Sequence, residues 1–429
     1  MNNEEIIGIL GDWNFWKKEH NVGLYRENYL DKLGRLIRTE QIVAITGVRR
    51  SGKSTLMQQF VKKQIEAGKK RNSFLYINFE EQKFAGLLSL EFLQQIYSAY
   101  LEILKPEGAP YILLDEVQTI PMWERFVRSL NEKKEAHLII SGSTSKLLSM
   151  DFGALLTGRW VELIMHPLGF SEFLKFNNLQ IENKMDILSQ KVKIKQLLRE
   201  YLKFGGFPLV ALKGEKEDIL RRFFDDIITR DIAERHKIRK LEKLKALAKY
   251  YLTNLSSPIS YRRIAKFIGL SLDSIERISS YMADAYFCYF VPKFAYSLKE
   301  QEVNPRKVYC VDSGLVNIIS FRFSDNISKL YENLVFLSLL KTGREIYYYK
   351  DKDECDFVVK EGLKIKQLIQ VCYNMSDYNT KEREVRSLTK ASKELKCNNL
   401  LIITEDKEGE ETINGSKIKF MPLWKWLLE

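Results

Sequence analysis

Cysteine is scarce in this sequence, and the cysteines that are present do not form a recognisable binding pattern. The 429 residues include 5 cysteines, and no two of them have the spacing of a C-x-x-C pair. Neither a disulfide framework nor a structural zinc site is therefore expected, and the protein is predicted to be cytoplasmic, where thiols stay reduced. Glycine and proline, with 22 and 9 residues, are too few for a collagen-like or low-complexity chain.

Long apolar runs are also absent. A helix that spans a bilayer needs about 18 consecutive apolar residues, and no window of the sequence approaches that length. Residues 1–5 lack the basic segment that opens a signal peptide. The composition, 45% hydrophobic and 29% charged, excludes a disordered chain. We therefore expect a folded protein with no membrane span.

Positive charge is in excess. The chain has 68 Lys and Arg against 56 Asp and Glu, a net charge of +12. A positive net charge favours binding of polyanions such as nucleoside phosphates or nucleic acid. The alternative is a basic protein that binds no polyanion. At roughly 100–200 residues per domain, the length predicts between two and four domains.

A phosphate-binding loop is indicated by residues 47–54, which read G-V-R-R-S-G-K-S and fit the pattern G-x-x-x-x-G-K-[ST]. An apolar strand is predicted before it, over 42–46, and a helix after it, over 55–67. In this context the backbone N–H groups of the loop and the helix N-terminus face phosphate. The predicted nucleotide-binding residues are Gly47, Arg50, Ser51, Gly52, Lys53, Ser54 and Thr55.

The chemistry of hydrolysis is predicted from a second motif. Lys53 is expected to reach the β- and γ-phosphates, and the hydroxyl of Ser54 to bind Mg²⁺. The apolar run at 111–114 predicts a strand that ends at Asp115 and Glu116. Asp115 is expected to help hold Mg²⁺ and Glu116 to polarise the attacking water, which favours hydrolysis over phosphoryl transfer to a substrate.

Two further residues are candidates for the same site. A strand predicted over 137–141 leads to Ser143, which is expected to sense the γ-phosphate or the water; the alternative is a serine-rich turn that caps a helix over 146–150. Arg159 in L-T-G-R-W is a candidate for stabilising the transition state, in cis or from a neighbouring subunit of a homo-oligomer. A solvated or structural arginine is the alternative.

These motifs occur in an order that resembles a known group. After G-V-R-R-S-G-K-S, L-L-D-E, I-I-S-G-S-T-S and L-T-G-R-W comes H-P-L-G-F-S-E-F at 166–173. The order resembles bacterial and archaeal ATPases of the AAA superfamily whose core precedes a C-terminal domain of unknown function. Segments 201–208 and 225–232 are similar to that group's lid and junction. The resemblance covers nearly the whole chain and implies that Arg230 is another candidate for a phosphate contact.

A winged helix–turn–helix is predicted after the core. A short helix ends at Gly269, a second runs over 271–285, and strand-like sequence follows. The second helix has a net charge of −2, a poor match to a phosphate backbone, so packing or protein contact is favoured over duplex binding. On the preceding helix, Arg262, Arg263 and Lys266 are the residues able to touch phosphates.

The last part of the chain resembles the PD-(D/E)-x-K nuclease fold. A helix with Glu332 precedes strands over 346–349, 355–359 and 368–373, and Glu332 and Asp356 fit the metal-binding carboxylates. Gln370 and Cys372 stand where that chemistry needs a carboxylate and a lysine. We therefore expect a nuclease-like fold without nuclease activity.

The predicted fold class is thus α/β. An AAA-like P-loop core over residues 1–175 precedes a helical lid and junction over 176–240, a winged helix over 241–300 and a restriction-endonuclease-like domain over 301–429. The predicted function is Mg²⁺-dependent binding and hydrolysis of ATP, with the C-terminal region engaging a protein or DNA partner. The alternatives are a nucleotide-switched DNA-binding protein and, less favoured, a metal-dependent nuclease. No base-reading motif separates ATP from GTP.

Overall fold

The structure, a computed structural model, describes residues 1–145, 158–320 and 327–429. The predicted helix over 146–150 and the start of the L-T-G-R-W motif lie outside these ranges. The chain forms two compact units, Met1–His166 and Pro167–Glu429. No helix within the described ranges is long and apolar enough to cross a bilayer.

The first unit is built on a parallel sheet of five strands in the order β2-β3-β4-β1-β5. The strands are β1 (Ile42–Thr46), β2 (Phe74–Asn78), β3 (Tyr111–Asp115), β4 (His137–Ser141) and β5 (Trp160–Ile164). The helices are Asn3–Gly11, Glu27–Ile37, Lys53–Glu66, Leu90–Leu104 and Trp123–Glu132. The strands predicted over 42–46, 111–114 and 137–141 are confirmed.

Alternation along each strand places apolar residues on both faces of this sheet. In β1, Ile42 and Ala44 belong to one apolar core, and Val43 and Ile45 belong to the other. Parallel sheets need cover on both faces, which explains why β1 is an uninterrupted apolar run. The unit is therefore an α/β structure with helices on each side, as the sequence predicts.

The second unit begins with helices and continues with a small antiparallel sheet in the order β6-β8-β7. The strands are β6 (Pro258–Ile259), β7 (Cys288–Val291) and β8 (Arg306–Cys310). The preceding helices are Phe170–Phe176, Lys184–Ser189, Lys191–Phe204, Pro208–Leu212, Lys216–Asp226 and Leu241–Thr253, with a π-helical segment at Ile227–Glu234. Helices Tyr261–Ile268, Leu272–Asp284 and Leu298–Val303 lie between the strands.

A mixed sheet of six strands ends the chain, in the order β13-β14-β12-β11-β10-β9. Its strands are β9 (Glu345–Lys350), β10 (Glu354–Glu361), β11 (Lys364–Val371), β12 (Leu400–Thr404), β13 (Gly409–Ile413) and β14 (Ser416–Pro422). Helices Ser313–Ile319 and Ile327–Leu340 precede this sheet, and Tyr378–Leu395 and Leu423–Trp426 complete the unit. The predicted boundary at 300/301 separates β7 from β8, which pair with each other; the domain boundaries stay a prediction.

Candidate functional site

The predicted phosphate loop connects β1 to the helix Lys53–Glu66, as its sequence indicates. Three of its residues have positive φ angles, 136° at Gly47, 69° at Arg50 and 101° at Gly52. A Cβ atom at Gly47 would lie 2.1 Å from the carbonyl oxygen of Met165. No side chain fits there, so the first glycine of the motif is required by the close approach of two backbone segments.

Lys53 is buried, and its ammonium group lies inside the loop. Its Nζ donates hydrogen bonds to the carbonyl oxygens of Gly47 at 3.0 Å and Val48 at 3.2 Å. The same Nζ is 4.0 Å from Oε1 of Glu116. The structure therefore brings the lysine of the first motif and the second carboxylate of the other motif together.

The carboxylate of Asp115 is held by hydroxyl groups from neighbouring elements. Tyr76 on β2 donates to Oδ2 at 2.7 Å, and Ser141 at the end of β4 donates to Oδ1. Burial and the charge of Glu116 raise the pKa of Asp115, while hydrogen bonds from Ser141, Ser54 and Tyr76 act against this. Ser54 is therefore near enough to Asp115 to lower its pKa, as expected of two residues predicted to share a metal ion.

Glu116 follows directly and has a left-handed backbone conformation, with φ of 55°. Its N–H donates to the Ser141 hydroxyl at 3.1 Å, and its Oε2 accepts a hydrogen bond from the Gln118 amide at 2.5 Å. The distance of 4.0 Å from its Oε1 to Nζ of Lys53 places the Glu116 carboxylate beside the loop. A carboxylate in this position is able to accept a hydrogen bond from a water molecule beside the phosphate.

The order of the strands determines which other residues lie near the loop and the two carboxylates. Because β4 lies between β1 and β3, its carboxyl end is adjacent to both the loop and Asp115. Ser143 follows β4 and is fully buried there. Ser54 and Thr55 occupy the first turn of the helix and are exposed. The carboxyl ends of parallel strands are the usual place for a ligand in an open α/β sheet.

Arg159 lies at the amino-terminal ends of the strands, opposite the end that carries the loop. Its carbonyl accepts a hydrogen bond from Ile42 N at 3.0 Å, and Ile42 opens the strand that ends before Gly47. Five residues of strand span about 16 Å, too far for the side chain to reach phosphate. Its guanidinium group pairs with Glu132 instead. The structure therefore does not bring Arg159 to the phosphate loop within the chain, and its role in the transition state stays a prediction.

Arg230, the other candidate arginine, lies in the second unit. It belongs to the π-helical segment Ile227–Glu234, and its side chain is 57% exposed. Its Nε is 3.7 Å from Oδ1 of Asp226. A phosphate contact by Arg230 remains a prediction.

Three contributors to the site were missed in the sequence. Tyr76 and Ser141 bind Asp115, and the buried Arg26 donates to the carbonyl oxygens of Ser51 at 3.2 Å and His166 at 2.8 Å. Ser141 ends a strand that was predicted, so a known strand order would have identified it. Tyr76 and Arg26 belong to no local motif, and no signal in the sequence indicated them.

The donor groups fit a nucleoside triphosphate with Mg²⁺. The Ser51 hydroxyl is buried in the loop and makes no hydrogen bond within the described parts of the chain. One carboxylate and one hydroxyl, Asp115 and Ser54, are oxygen ligands of the kind that Mg²⁺ prefers, and substrate phosphates usually complete such a site.

Comparisons with known proteins agree with this geometry. Residues 39–174 match a family described as an AAA domain. The chain is also 35% identical over 407 residues to the uncharacterized protein MJ1544 of Methanocaldococcus jannaschii, covering 90% of this chain and 88% of that protein. The chain belongs to one family with MJ1544, and its residues 39–174 match the AAA domain. An uncharacterized protein of Haemophilus influenzae is 29% identical over 408 residues, with 93% of this chain and 98% of that protein covered.

The rest of this AAA protein matches families without an assigned role. Residues 195–326 and 328–426 match two domains of unknown function, DUF8612 and DUF4143. Among solved structures, the Walker-type ATPase PABY2304 of Pyrococcus abyssi is similar with a TM-score of 0.42 and 14% identity, covering 69% of this chain and 96% of that chain.

The second unit of the AAA protein contains a buried cluster of charged groups. Nζ of Lys307 lies 2.9 Å from Oε1 of Glu332, 2.7 Å from Oε1 of Glu354 and 3.0 Å from Oδ1 of Asp356. Burial alone lowers the pKa of Lys307, but the surrounding carboxylates raise it well above its ordinary value. Burial and the charge of Asp356 raise the pKa of Glu332 to about 8. The structure thus brings the two predicted carboxylates together, around an ammonium group.

The side chains of Gln370 and Cys372 carry no charge in this region. Gln370 accepts a hydrogen bond from the Asp356 N–H at 3.2 Å and donates to Glu384. Cys372 is buried, and burial raises the pKa of its thiol to about 12. Among the residues described by the structure, no three carboxylate, imidazole or thiol groups form a metal site.

Proposed function

We propose that this AAA protein binds ATP with Mg²⁺ at the loop over residues 47–54 and hydrolyses it. The observation that carries the proposal is the separation of 4.0 Å between Nζ of Lys53 and the carboxylate of Glu116, directly after Asp115 at the end of β3. Hydrolysis at a P-loop needs a cation for the phosphates, a carboxylate for the metal ion and a group that orients water. These three groups occur here within one site.

The mechanism follows from the positions of these side chains. The loop N–H groups and the helix N-terminus bind phosphate oxygens, and the Lys53 ammonium exchanges the carbonyl oxygens of Gly47 and Val48 for them. Ser54 and Asp115 would hold Mg²⁺, which would supply positive charge beside the phosphates. Glu116 orients a water molecule for in-line attack on the γ-phosphate, and Ser143 contacts that phosphate or the water.

Two variants test this proposal. Lys53→Ala is expected to abolish MgATP binding, measured by calorimetry, because the phosphate charge is no longer offset. Glu116→Gln is expected to bind MgATP but to lower turnover by about 10²-fold or more, because a neutral amide does not accept the proton of the water. Phosphate release measures turnover.

The matched controls remove the same groups elsewhere in the unit. Lys63→Ala changes a half-buried lysine of the same helix, and Glu132→Gln changes an exposed carboxylate at the other end of the strands. Both are expected to retain binding and turnover. Normal MgATP binding by Lys53→Ala would contradict the site, and turnover at the wild-type rate in Glu116→Gln would contradict the role of Glu116.

We further propose that the region over 241–300 is a winged helix–turn–helix and that the region over 301–429 has a nuclease-like fold without activity. Helix Leu241–Thr253, β6, two helices joined at Gly269, and β7, which pairs with β8 beyond residue 300, occur in the order of a winged helix. The Lys307 ammonium lies among three carboxylates, where a catalytic cation would have to bind. A bound metal ion and this ammonium exclude each other, so no metal-dependent cleavage is expected.

A further inference from the structure

A face of the helix Tyr261–Ile268 combines positive charge with an exposed aromatic ring. Arg262, Arg263 and Lys266 are exposed, and none of the three is ion-paired with any residue that the structure describes. Phe267 is 74% exposed, unusual for phenylalanine. At a spacing of four residues, Arg262 lies beside Lys266 and Arg263 lies beside Phe267. We call these four residues the basic-aromatic face.

The neighbouring helix Leu241–Thr253 extends this surface. The Tyr250 ring lies 5.7 Å from the Phe267 ring, and the Lys243 ammonium donates to the carbonyl oxygen of Ile268. Residues 237–299 contain 12 Lys and Arg against 4 Asp and Glu, so they contribute +8 to the chain's net charge of +12. The local excess of positive charge favours a polyanionic ligand here.

The charge of the next helix does not suit the usual binding of a helix–turn–helix to duplex DNA. In a helix–turn–helix the second helix enters the major groove, where phosphates surround it. Here the helix Leu272–Asp284 exposes Asp273 and Glu276 beside Arg277. Two carboxylates on the exposed side repel a phosphate backbone, so the favourable charge lies on the preceding helix instead.

A single strand matches the basic-aromatic face better than a duplex does. In single-stranded nucleic acid the bases are free to stack on aromatic side chains while cations contact the backbone. A duplex keeps its bases stacked inside and offers Phe267 no partner without being distorted. Charge alone would also suit an acidic protein surface, but only unpaired bases combine the anionic backbone with flat rings.

We propose that the basic-aromatic face binds single-stranded nucleic acid. Phe267 stacks on a base, and Arg262, Arg263 and Lys266 contact the phosphates on either side. This inference rests on the proposed winged-helix region, and it does not depend on ATP hydrolysis. It defines the partner as a polyanion with accessible bases.

Binding of a fluorescent oligothymidylate to the full chain, measured by anisotropy between about 50 and 200 mM salt, tests the proposal. Phe267→Ala is expected to weaken binding about tenfold without changing the salt dependence, because stacking is lost and the charges remain. The triple variant Arg262→Ala, Arg263→Ala, Lys266→Ala is expected to lower the slope of log K against log salt by about 2, since each phosphate contact contributes about 0.7. Duplex DNA is expected to show no dependence on Phe267.

The helix Glu27–Ile37 and its flank supply a control with the same change in charge. Lys32, Arg35 and Arg38 are exposed, and among the described residues they form no ion pair. Their triple alanine variant is expected to bind oligothymidylate like the wild type. Equal weakening in this control, unchanged binding by Phe267→Ala, or equally effective competition by polyglutamate would overturn the proposal. ATP turnover without oligonucleotide separates the two proposals, since none of these residues touches the phosphate loop.

Discussion

Two hydroxyl groups determine the orientation of the Asp115 carboxylate, one on each of its oxygens. Tyr76 donates to Oδ2 at 2.7 Å, and Ser141 donates to Oδ1. Burial and the charge of Asp115 raise the pKa of Tyr76 well above its ordinary value, so this hydroxyl remains a donor. Groups that orient a metal-binding carboxylate in this way affect metal affinity without touching the metal ion.

Tyr76→Phe is therefore expected to lower the affinity for Mg²⁺ rather than the affinity for nucleotide. The ring stays in the core, but Oδ2 of Asp115 loses its donor and the carboxylate is held less firmly. We expect the Mg²⁺ concentration for half-maximal turnover to rise by about 10- to 100-fold. Titration of phosphate release with Mg²⁺ measures this change.

Tyr100→Phe is the matched control for this prediction. Tyr100 is also a buried tyrosine of the first unit, but its hydroxyl donates to the carbonyl oxygen of Asn72. Its loss is expected to cost about 1 kcal/mol of stability and to leave the Mg²⁺ dependence unchanged. If Tyr76→Phe required no more Mg²⁺ than Tyr100→Phe, Tyr76 would have only a structural role.

At the scale of elements, the second unit contains one buried carboxylate that joins two segments distant in sequence. Asp312 caps the helix Ser313–Ile319 by accepting hydrogen bonds from Gly314 N at 2.9 Å and Leu315 N at 3.4 Å. It also accepts one from Gly206 N at 2.7 Å. A Cβ atom at Gly205 would lie 1.9 Å from Oδ1 of Asp312. Glycine is thus required at position 205 of the predicted lid, because the Asp312 carboxylate lies against its backbone.

Asp312 should make stability depend on pH. Burial raises the pKa of Asp312 from 3.8 to about 6, although the backbone hydrogen bonds act against this. The folded state therefore binds this proton more tightly than the unfolded state does, and its contribution to stability falls as pH rises from about 4 to about 6. Asp312→Asn lacks this titration. As pH rises through this range, the difference in unfolding free energy that favours the wild type over the variant should therefore shrink by up to about 3 kcal/mol.

Urea unfolding at about pH 4 and about pH 7 measures this difference. The control is Asp218→Asn, which removes an exposed carboxylate from the helix Lys216–Asp226 in the same unit. Its difference from the wild type should change much less over this range. An advantage of the wild type over Asp312→Asn that grows with pH would have the wrong sign and would contradict the assignment.

At the scale of the whole molecule, the Lys307 cluster connects three parts of the second unit. Lys307 comes from β8, Glu332 from the helix Ile327–Leu340, and Glu354 and Asp356 from β10. A buried ammonium with three carboxylate partners is stable only while all of them remain in place. The cluster thus joins the small sheet to the large sheet by charge, without a metal ion.

Because the ammonium lies in this position, the full chain is expected to leave plasmid DNA intact. Supercoiled plasmid incubated with the protein and Mg²⁺ or Mn²⁺ should show no nicking above the level seen with EDTA. Agarose electrophoresis measures the outcome, and Asp356→Ala separates a trace contaminant from the protein. Nicking by the wild type that disappears in Asp356→Ala would contradict an inactive centre and restore the nuclease alternative.

The sequence by itself determined the phosphate loop, the acidic strand end and the α/β class. The loop over 47–54 and the pair Asp115–Glu116 are contiguous, and their backbone geometry depends on near neighbours, so their residue types and spacing suffice. The apolar runs at 42–46 and 111–114 predicted strands because both faces of a parallel sheet are buried.

Only the tertiary structure decided which distant groups complete these motifs. Tyr76 and Ser141 reach Asp115 because β2 and β4 both flank β3, and the strand direction places Arg159 at the end of the sheet away from the loop. Lys307 lies 25 positions before Glu332 and 49 before Asp356 in sequence. Such contacts depend on strand order and direction, which arise from the packing of the whole sheet and leave no pattern in any short segment.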